Sequence, residues 1–393
     1  MMASQRWMGL AIASGCLVAV FGSDVQTRFV DRKLLGDEIV KLVGEHFYDP
    51  KVAAAWAARH AGYAKSVEDD ERFAALTNQI LSDLKVSHTG YYTPADARYF
   101  GLKAIFAEGL KAGPVEWDSP GADFTSENVV RVVFAGGPAS KAGLRRGDKV
   151  LFADGKDFYP IKSFRGRVGS SVVLTVRRSP HTPTINFKVS PTRINPKKEW
   201  LDAQRQGARL IARNGKTAAY VPMFSAAGEE YQDALQELFT GTLRDADALI
   251  LDFRDGFGGA NPQFVNLFNR TPAVLSGNGR DGKPSSFDSQ WRKPLVVLIN
   301  GGTTSGKEVV AYSIKKHRLG TLVGRRTAGA VVAGRCFFLS DQSLMYLAVR
   351  DVRVDGERLE GVGVAPDVEV ADRLIYADGA DPQLDKAIDV ATN

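Results

Sequence analysis

The chain has little cysteine: Cys16 and Cys336 are the only two in 393 residues. Cys16 lies in an N-terminal stretch that reads as a removable leader, so Cys336 would remain alone. A lone cysteine excludes an intramolecular disulfide, and neither C-x-x-C nor any other zinc-ligand spacing occurs. Cys336 sits in the apolar run Arg335-Cys336-Phe337-Phe338-Leu339 and reads as a buried filler of a strand. Also missing is any basic run interleaved with aromatics. The net charge of +6 is mild for this length, so nucleic acid is not an expected partner. The glycine-rich segment Arg254 to Ala260 fits neither G-x-G-x-x-G nor G-x-x-x-x-G-K-[ST], which argues against a nucleotide loop there. No metal or organic cofactor is implied.

Long apolar runs are missing too. The longest, Met8 to Phe21, follows Arg6 and precedes the small residues Gly22 and Ser23. That is the layout of a secretory signal peptide, residues 1–23, and it is short for a membrane span. Secretion or a periplasmic location is therefore expected, with no stable membrane span once the signal is removed. Ala13-Ser14-Gly15-Cys16 resembles a lipoprotein acylation site, but Leu17 to Phe21 stay apolar where a lipid tether turns polar.

What is present is an ordinary globular composition, 44% hydrophobic and 24% charged, over a length that calls for two or three domains. Residues 28–86 repeat apolar side chains at helical spacing: Leu34, Leu35, Ile39, Val40, Leu42, Val43 and Phe47, then Phe73, Leu76, Ile80, Leu81 and Leu84. Asp49-Pro50 interrupts the first series. So small a helical region needs a neighbour to pack on. From about residue 100 to 192 short strands take over, and residues 195–393 alternate strands with helices, the pattern of a parallel sheet with crossovers.

Two of those strands end in chemically useful turns. Pro294 to Ile299 is an unbroken apolar run, followed by Asn300-Gly301-Gly302-Thr303-Thr304-Ser305-Gly306-Lys307-Glu308 and then a helical pattern. A small-residue turn at a strand's carboxyl end presents Ser305, and the first N–H groups of the helix are left to stabilise an anion. The bland alternative is a serine that merely caps the helix. The second strand, Ala248 to Phe253, runs into Arg254-Asp255-Gly256-Phe257-Gly258-Gly259-Ala260, whose glycines let the backbone approach a ligand closely. Acyl transfer needs such N–H donors aimed at an oxyanion.

In order along the chain come Leu251-Asp252-Phe253-Arg254-Asp255 with Gly258-Gly259, then Asn300 to Ser305, then Val323-Gly324 with Thr327-Ala328-Gly329, then Gly361-Val362-Gly363-Val364-Ala365-Pro366-Asp367. This series resembles the tail-specific (carboxyl-terminal processing) serine proteases and their relatives, the tricorn core protease and the retinoid-binding repeat proteins, over roughly residues 28–370. The resemblance implies a multidomain α/β protein: an N-terminal helical region (28–93), a PDZ-like β domain (98–192) and a crotonase/Clp-like α/β catalytic domain (195–393). The PDZ likeness rests on Val129 to Phe134, Gly136-Gly137-Pro138, the short helix from Ala139, and Arg146-Gly147-Asp148-Lys149-Val150-Leu151. A peptide terminus would there meet backbone N–H groups of a loop at Tyr99-Phe100-Gly101-Leu102.

The resemblance also proposes the chemistry. The processing branch uses a lysine base in Thr-x-Gly-Lys, but this chain reads Thr327-Ala328-Gly329-Ala330. Lys307 would point away along its helix, and Lys307→Ala would retain most activity. The tricorn-like branch uses histidine and glutamate. His88, in Ser87-His88-Thr89, matches that histidine and would act as general base for Ser305. Glu360, six residues before Pro366, would hold His88, with Asp355 or Glu357 as substitutes; Ser87 matches a further serine of the tricorn-like tetrad. Gly258, Gly259 and Gly306 would supply the oxyanion donors. The implied activity is that of a serine endopeptidase acting on protein or peptide substrates. A binding protein that keeps the fold without turnover is the alternative, and an acyltransferase or esterase using the same serine is a third.

Overall fold

A computed structural model describes residues 31–393; the expected signal peptide (1–23) and the lipoprotein-like stretch at Cys16 lie outside the described residues. Three helices open the described chain, Arg32–His46, Pro50–His60 and Asp70–Ser82, each started by an aspartate (Asp31, Asp49, Asp69) whose side chain accepts first-turn N–H groups. Their apolar faces do not make a core alone. Leu35, Ile39, Val43, Trp56 and Phe73 bury themselves together with Val332, Leu339, Met345 and Leu347 from far along the chain. The strand Gly90–Tyr92 seals the join by pairing antiparallel with Leu344–Arg350, itself paired with Ala333–Phe338.

Residues 117–194 form a β-rich unit with its own interior, in which Phe124, Val130, Phe164, Leu174 and Val176 pack under the short helix Pro138–Ala142. The strand Lys149–Ala153 lies between Lys156–Asp157 and Val172–Arg177, and the latter pairs with Ile185–Val189. Arg178, mostly buried, is held by Asp148 at 2.7 Å.

The largest core surrounds a six-stranded sheet in the order Arg209–Arg213, Lys216–Pro222, Ala248–Asp252, Leu295–Ile299, Thr321–Gly324, Val368–Glu369. The first pair is antiparallel and the rest are parallel. The two central strands are buried at every position, as their unbroken apolar sequences require. Both end at the same edge of the sheet, where the glycine-rich segment 254–261 and the turn 300–305 meet.

One expectation fails here. Phe100, Gly101 and Leu102 lie inside the helix Ala97–Ile105, not in a loop. Leu102 is buried, and a Cβ on Gly101 would press on the rings of Phe257 and Trp200. Backbone N–H groups spent in a helix, on a face packed against aromatics, cannot cradle a carboxylate. The short apolar spacing that looked like a loop is the inward face of a helix.

Candidate active site

Ser305 is the N-cap of the helix Gly306–Lys316 and has φ 57° and ψ −127°, a backbone conformation costly for any residue with a Cβ. Its surroundings over-determine that conformation. The Ser305 N–H donates to Ala330 O (2.8 Å) and to Glu308 Oε2 (3.1 Å). Glu308 is fully buried and also accepts from Thr327 Oγ1 (2.5 Å), Gly329 N (2.7 Å) and Ala330 N (2.7 Å). Burial pushes its carboxyl upward, and these donors oppose the rise. Glu308 thus clamps the segment 327–330 to the serine. Sequence reasoning passed over it, although Ser-x-x-Glu at a helix start is a capping-box spacing.

The glycine-rich segment lies directly against the serine. A Cβ on Gly258 would come within 2.6 Å of Ser305 Cβ, and one on Gly306 would strike the backbone of Ala260. Only glycine permits this contact between the two turns. Among the described residues, the N–H groups of Gly258, Gly259 and Gly306 donate to no backbone carbonyl. They are free donors beside a serine hydroxyl.

His88 follows the third helix and adopts φ 53°. Its Nδ1 is 2.8 Å from Ser87 Oγ, and Ser87 Oγ is 2.9 Å from Glu360 Oε2. Ser87 N–H also donates to Glu360 Oε1 at 2.7 Å, and Glu360 Oε2 accepts from Val331 N (2.7 Å) and Val332 N (3.2 Å). Burial works to raise the carboxyl of Glu360, but the N–H groups of Ser87, Val331 and Val332 and the Ser87 hydroxyl outweigh it and hold it below the ordinary range. Glu360 is therefore a carboxylate and can only accept. The single hydroxyl proton of Ser87 then belongs to Glu360, so Ser87 Oγ accepts from His88 Nδ1–H. That bookkeeping fixes the neutral tautomer and leaves Nε2 as a lone-pair base.

Glu360 was expected to hold His88; the hydrogen bonds between them run through Ser87. Asp355 is exposed and pairs with Lys316 at 2.8 Å, and Glu357 is exposed. Burial drives the His88 imidazole down from its ordinary value of 6.5 to about 4, with Glu360 working upward and Arg98 downward. The segment 330–332 connects the two halves of the site, since Ala330 O holds Ser305 while Val331 and Val332 hold Glu360. Among the described residues no hydrogen bond joins Ser305 to the His88 ring, a contact that in such sites commonly tightens only with substrate. Tyr346 flanks the imidazole, ring centroids 5.3 Å apart.

Two other histidines, Cys336 and Lys307 are engaged elsewhere. His46 stacks on Phe337, and His60 faces Asp83 at 3.1 Å. Cys336 is buried and its thiol is pushed up to about 12 by that burial. Lys307 does not lie along the helix surface; it is wholly buried, its Nζ donating to Met223 O (2.5 Å) and Asp255 O (3.0 Å). A cleft of about 460 Å³ opens beside the turn, reaching Gly302 and Thr304 and walled by Trp117, Trp200, Phe224, Phe257 and Arg98. No helix among the described residues is long and apolar enough to cross a membrane.

Residues 218–370 match the family described as Peptidase family S41. The chain is 27% identical over 389 residues to a tricorn protease homolog of Streptomyces coelicolor, covering 90% of this chain and 32% of that protein. It is 30% identical over 273 residues to the chloroplastic C-terminal processing peptidase of Tetradesmus obliquus, covering 64% and 58%. Among solved structures the tricorn protease superposes with a TM-score of 0.55 at 20% identity, over 91% of this chain and 36% of that one. The chain thus spans less than two thirds of the length of these curated relatives.

Proposed function

For a chain whose residues 218–370 match Peptidase family S41, we propose the activity of a serine endopeptidase acting on protein or peptide substrates. The observation that carries this reading is the Glu360–Ser87–His88 relay, which occupies His88 Nδ1 and leaves the Nε2 lone pair as the base. A carrier that never turns over would have no use for a fixed tautomer. Ser305 Oγ attacks the scissile carbonyl carbon and His88 Nε2 takes its proton. The carbonyl oxygen becomes an oxyanion, which the N–H groups of Gly258, Gly259 and Gly306 stabilise. His88 next gives the proton to the leaving amine, and the C–N bond breaks to leave an acyl-enzyme on Ser305. Water, deprotonated by the same imidazole, hydrolyses that ester. Ser87 orients the ring, and Glu360 fixes Ser87 while favouring the imidazolium.

The division into an N-terminal helical region (28–93), a PDZ-like domain (98–192) and a catalytic domain (195–393) belongs to the same proposal. Support for the second comes from its separate interior and from the strand–helix–strand order around Pro138–Ala142. Such a domain would engage substrate C-termini by strand addition. Export through residues 1–23 to the periplasm or the exterior completes the reading. A fluorophosphonate probe tests it: the folded protein should be labelled on Ser305 and should cleave an unstructured protein, and S305A should do neither. A wild-type protein that resists the probe overturns the proposal.

A further inference from the structure

Lysine is a poor choice at position 307 on every local rule. It sits in the first turn of the helix Gly306–Lys316, where the helix dipole disfavours a cation. It is also completely buried, where an ammonium is expensive and an apolar side chain would pack more cheaply. A residue that breaks local rules without an evident packing gain points to a task at the site.

That task is visible in what Lys307 touches. Nζ donates to Met223 O at 2.5 Å and to Asp255 O at 3.0 Å, and it lies 6.0 Å from the centre of the Phe253 ring. Neither carbonyl accepts a backbone N–H in the turns and loops around it. The two carbonyls begin the two segments that run together beneath the oxyanion donors. Phe257 N–H donates to Phe224 O at 2.8 Å, and Ala226 N–H donates to Gly258 O at 3.1 Å. Segment 223–226 therefore carries segment 255–259, and Lys307 grips the head of both from the first turn of a helix that Ser305 caps and Gly306 begins. One side chain thereby links the proposed nucleophile to the proposed donors.

We propose that Lys307 is a positioning residue that sets the separation between Ser305 and the N–H groups of Gly258 and Gly259. This rests on the peptidase reading above; it gives the lysine a part other than that of a base and replaces the expectation that Lys307→Ala would retain most activity, which assumed a solvated side chain. Two acceptors face Nζ, and even a neutral amine has two protons for them, so the strut holds in either charge state. Its loss should be felt where the oxyanion forms and hardly at all where ground-state substrate binds.

The test uses K307M, K307Q and wild type as full-length proteins, with a peptide substrate, a peptide aldehyde and a product peptide. The aldehyde adds Ser305 to form a hemiacetal whose oxygen occupies the oxyanion position. The product peptide makes ground-state contacts only. K307M should lower kcat by about 10²- to 10³-fold with KM within about threefold, and K307Q should fall between it and wild type. Aldehyde affinity should weaken in step with kcat/KM while product affinity holds. A K307M enzyme that keeps wild-type kcat overturns the proposal, as does equal weakening of aldehyde and product. If neither variant folds, Lys307 serves the fold and not the loop, and the proposal is likewise overturned. Failure of the peptidase reading itself would appear separately, as a wild-type protein that neither cleaves nor labels.

Discussion

Glu360 grips Ser87 twice, accepting its N–H at 2.7 Å on one oxygen and its hydroxyl at 2.9 Å on the other. This two-point hold fixes both the backbone and the side-chain rotamer of the residue next to His88. A carboxylate that bonded the imidazole directly would orient the ring but not the chain that bears it. The arrangement matters because His88 and Ser87 both come from the link between the helical region and the strand Gly90–Tyr92. Glu360 comes from 273 positions beyond Ser87. One side chain ties the two ends of the fold together at the proposed base.

S305A should abolish peptide cleavage and probe labelling while leaving the fold intact. The residue is at a turn, and its backbone is held by Ala330 O and Glu308 through its N–H, which alanine keeps. The expected change in stability is within about 1 kcal/mol. Equal cleavage by S305A and wild type would remove the serine from the mechanism.

S87A separates a relay from a bystander. Without the hydroxyl, His88 Nδ1–H loses its acceptor and the preferred tautomer is no longer enforced. A fall in kcat of about 10²- to 10⁴-fold is expected, by analogy with loss of the tautomer-fixing partner in other triads. S87T keeps a hydroxyl and should recover part of the loss if the β-methyl fits. An S87A enzyme with undiminished kcat would mean that His88 is oriented by something else.

E308Q tests the clamp behind the nucleophile. Both oxygens of Glu308 accept, from Thr327, Gly329, Ala330 and Ser305. An amide NH₂ must face at least one of these donors, so a buried donor loses its partner at about 1–3 kcal/mol. Chemical denaturation should register that loss, and kcat should fall as Ser305 leaves its strained conformation. Unchanged stability in E308Q would show that the buried carboxyl is already protonated.

How far the sequence carries this site follows from the kind of signal each residue leaves. Ser305 and Gly258 were legible because buried parallel strands are unbroken apolar runs and their ends are marked by small residues. His88 and Glu360 left no periodic signal and came from ordered motifs alone. Ser87 was visible as a residue but not as the bridge, because a bridge is a three-body geometry across 273 positions of chain. Lys307 misled for the opposite reason: lysines are almost always solvated, and nothing local announces a carbonyl pair waiting in the interior. The helix Ala97–Ile105 was mistaken for a binding loop because Tyr99 to Leu102 offers too few residues to reveal a period.

The last prediction concerns pH. As the proposed base, His88 must be neutral to accept the serine proton, and burial takes its imidazole from 6.5 to about 4. Activity should therefore hold from neutrality into mild acid, and kcat/KM should fall only near pH 4. An unperturbed histidine would place that limb at about 6.5. Stability follows the same sign. The unfolded chain binds a proton at His88 below about pH 6.5 that the folded chain refuses until about pH 4. This group's contribution is thus fully present above 6.5 and is lost as pH falls through that window. Glu360 is the carboxylate that works to raise His88, so E360Q should push the limb below that of wild type. The same variant should lower the plateau by about 10²- to 10⁴-fold, as loss of the carboxylate behind an imidazole does elsewhere. A stopped assay with short exposures to acid, paired with a spectroscopic fold check at each pH, distinguishes titration from unfolding. A wild-type limb at pH 6.5 or above would mean that the imidazole is more solvated than its packing against Tyr346 implies. An E360Q profile identical to wild type would take Glu360 out of the relay.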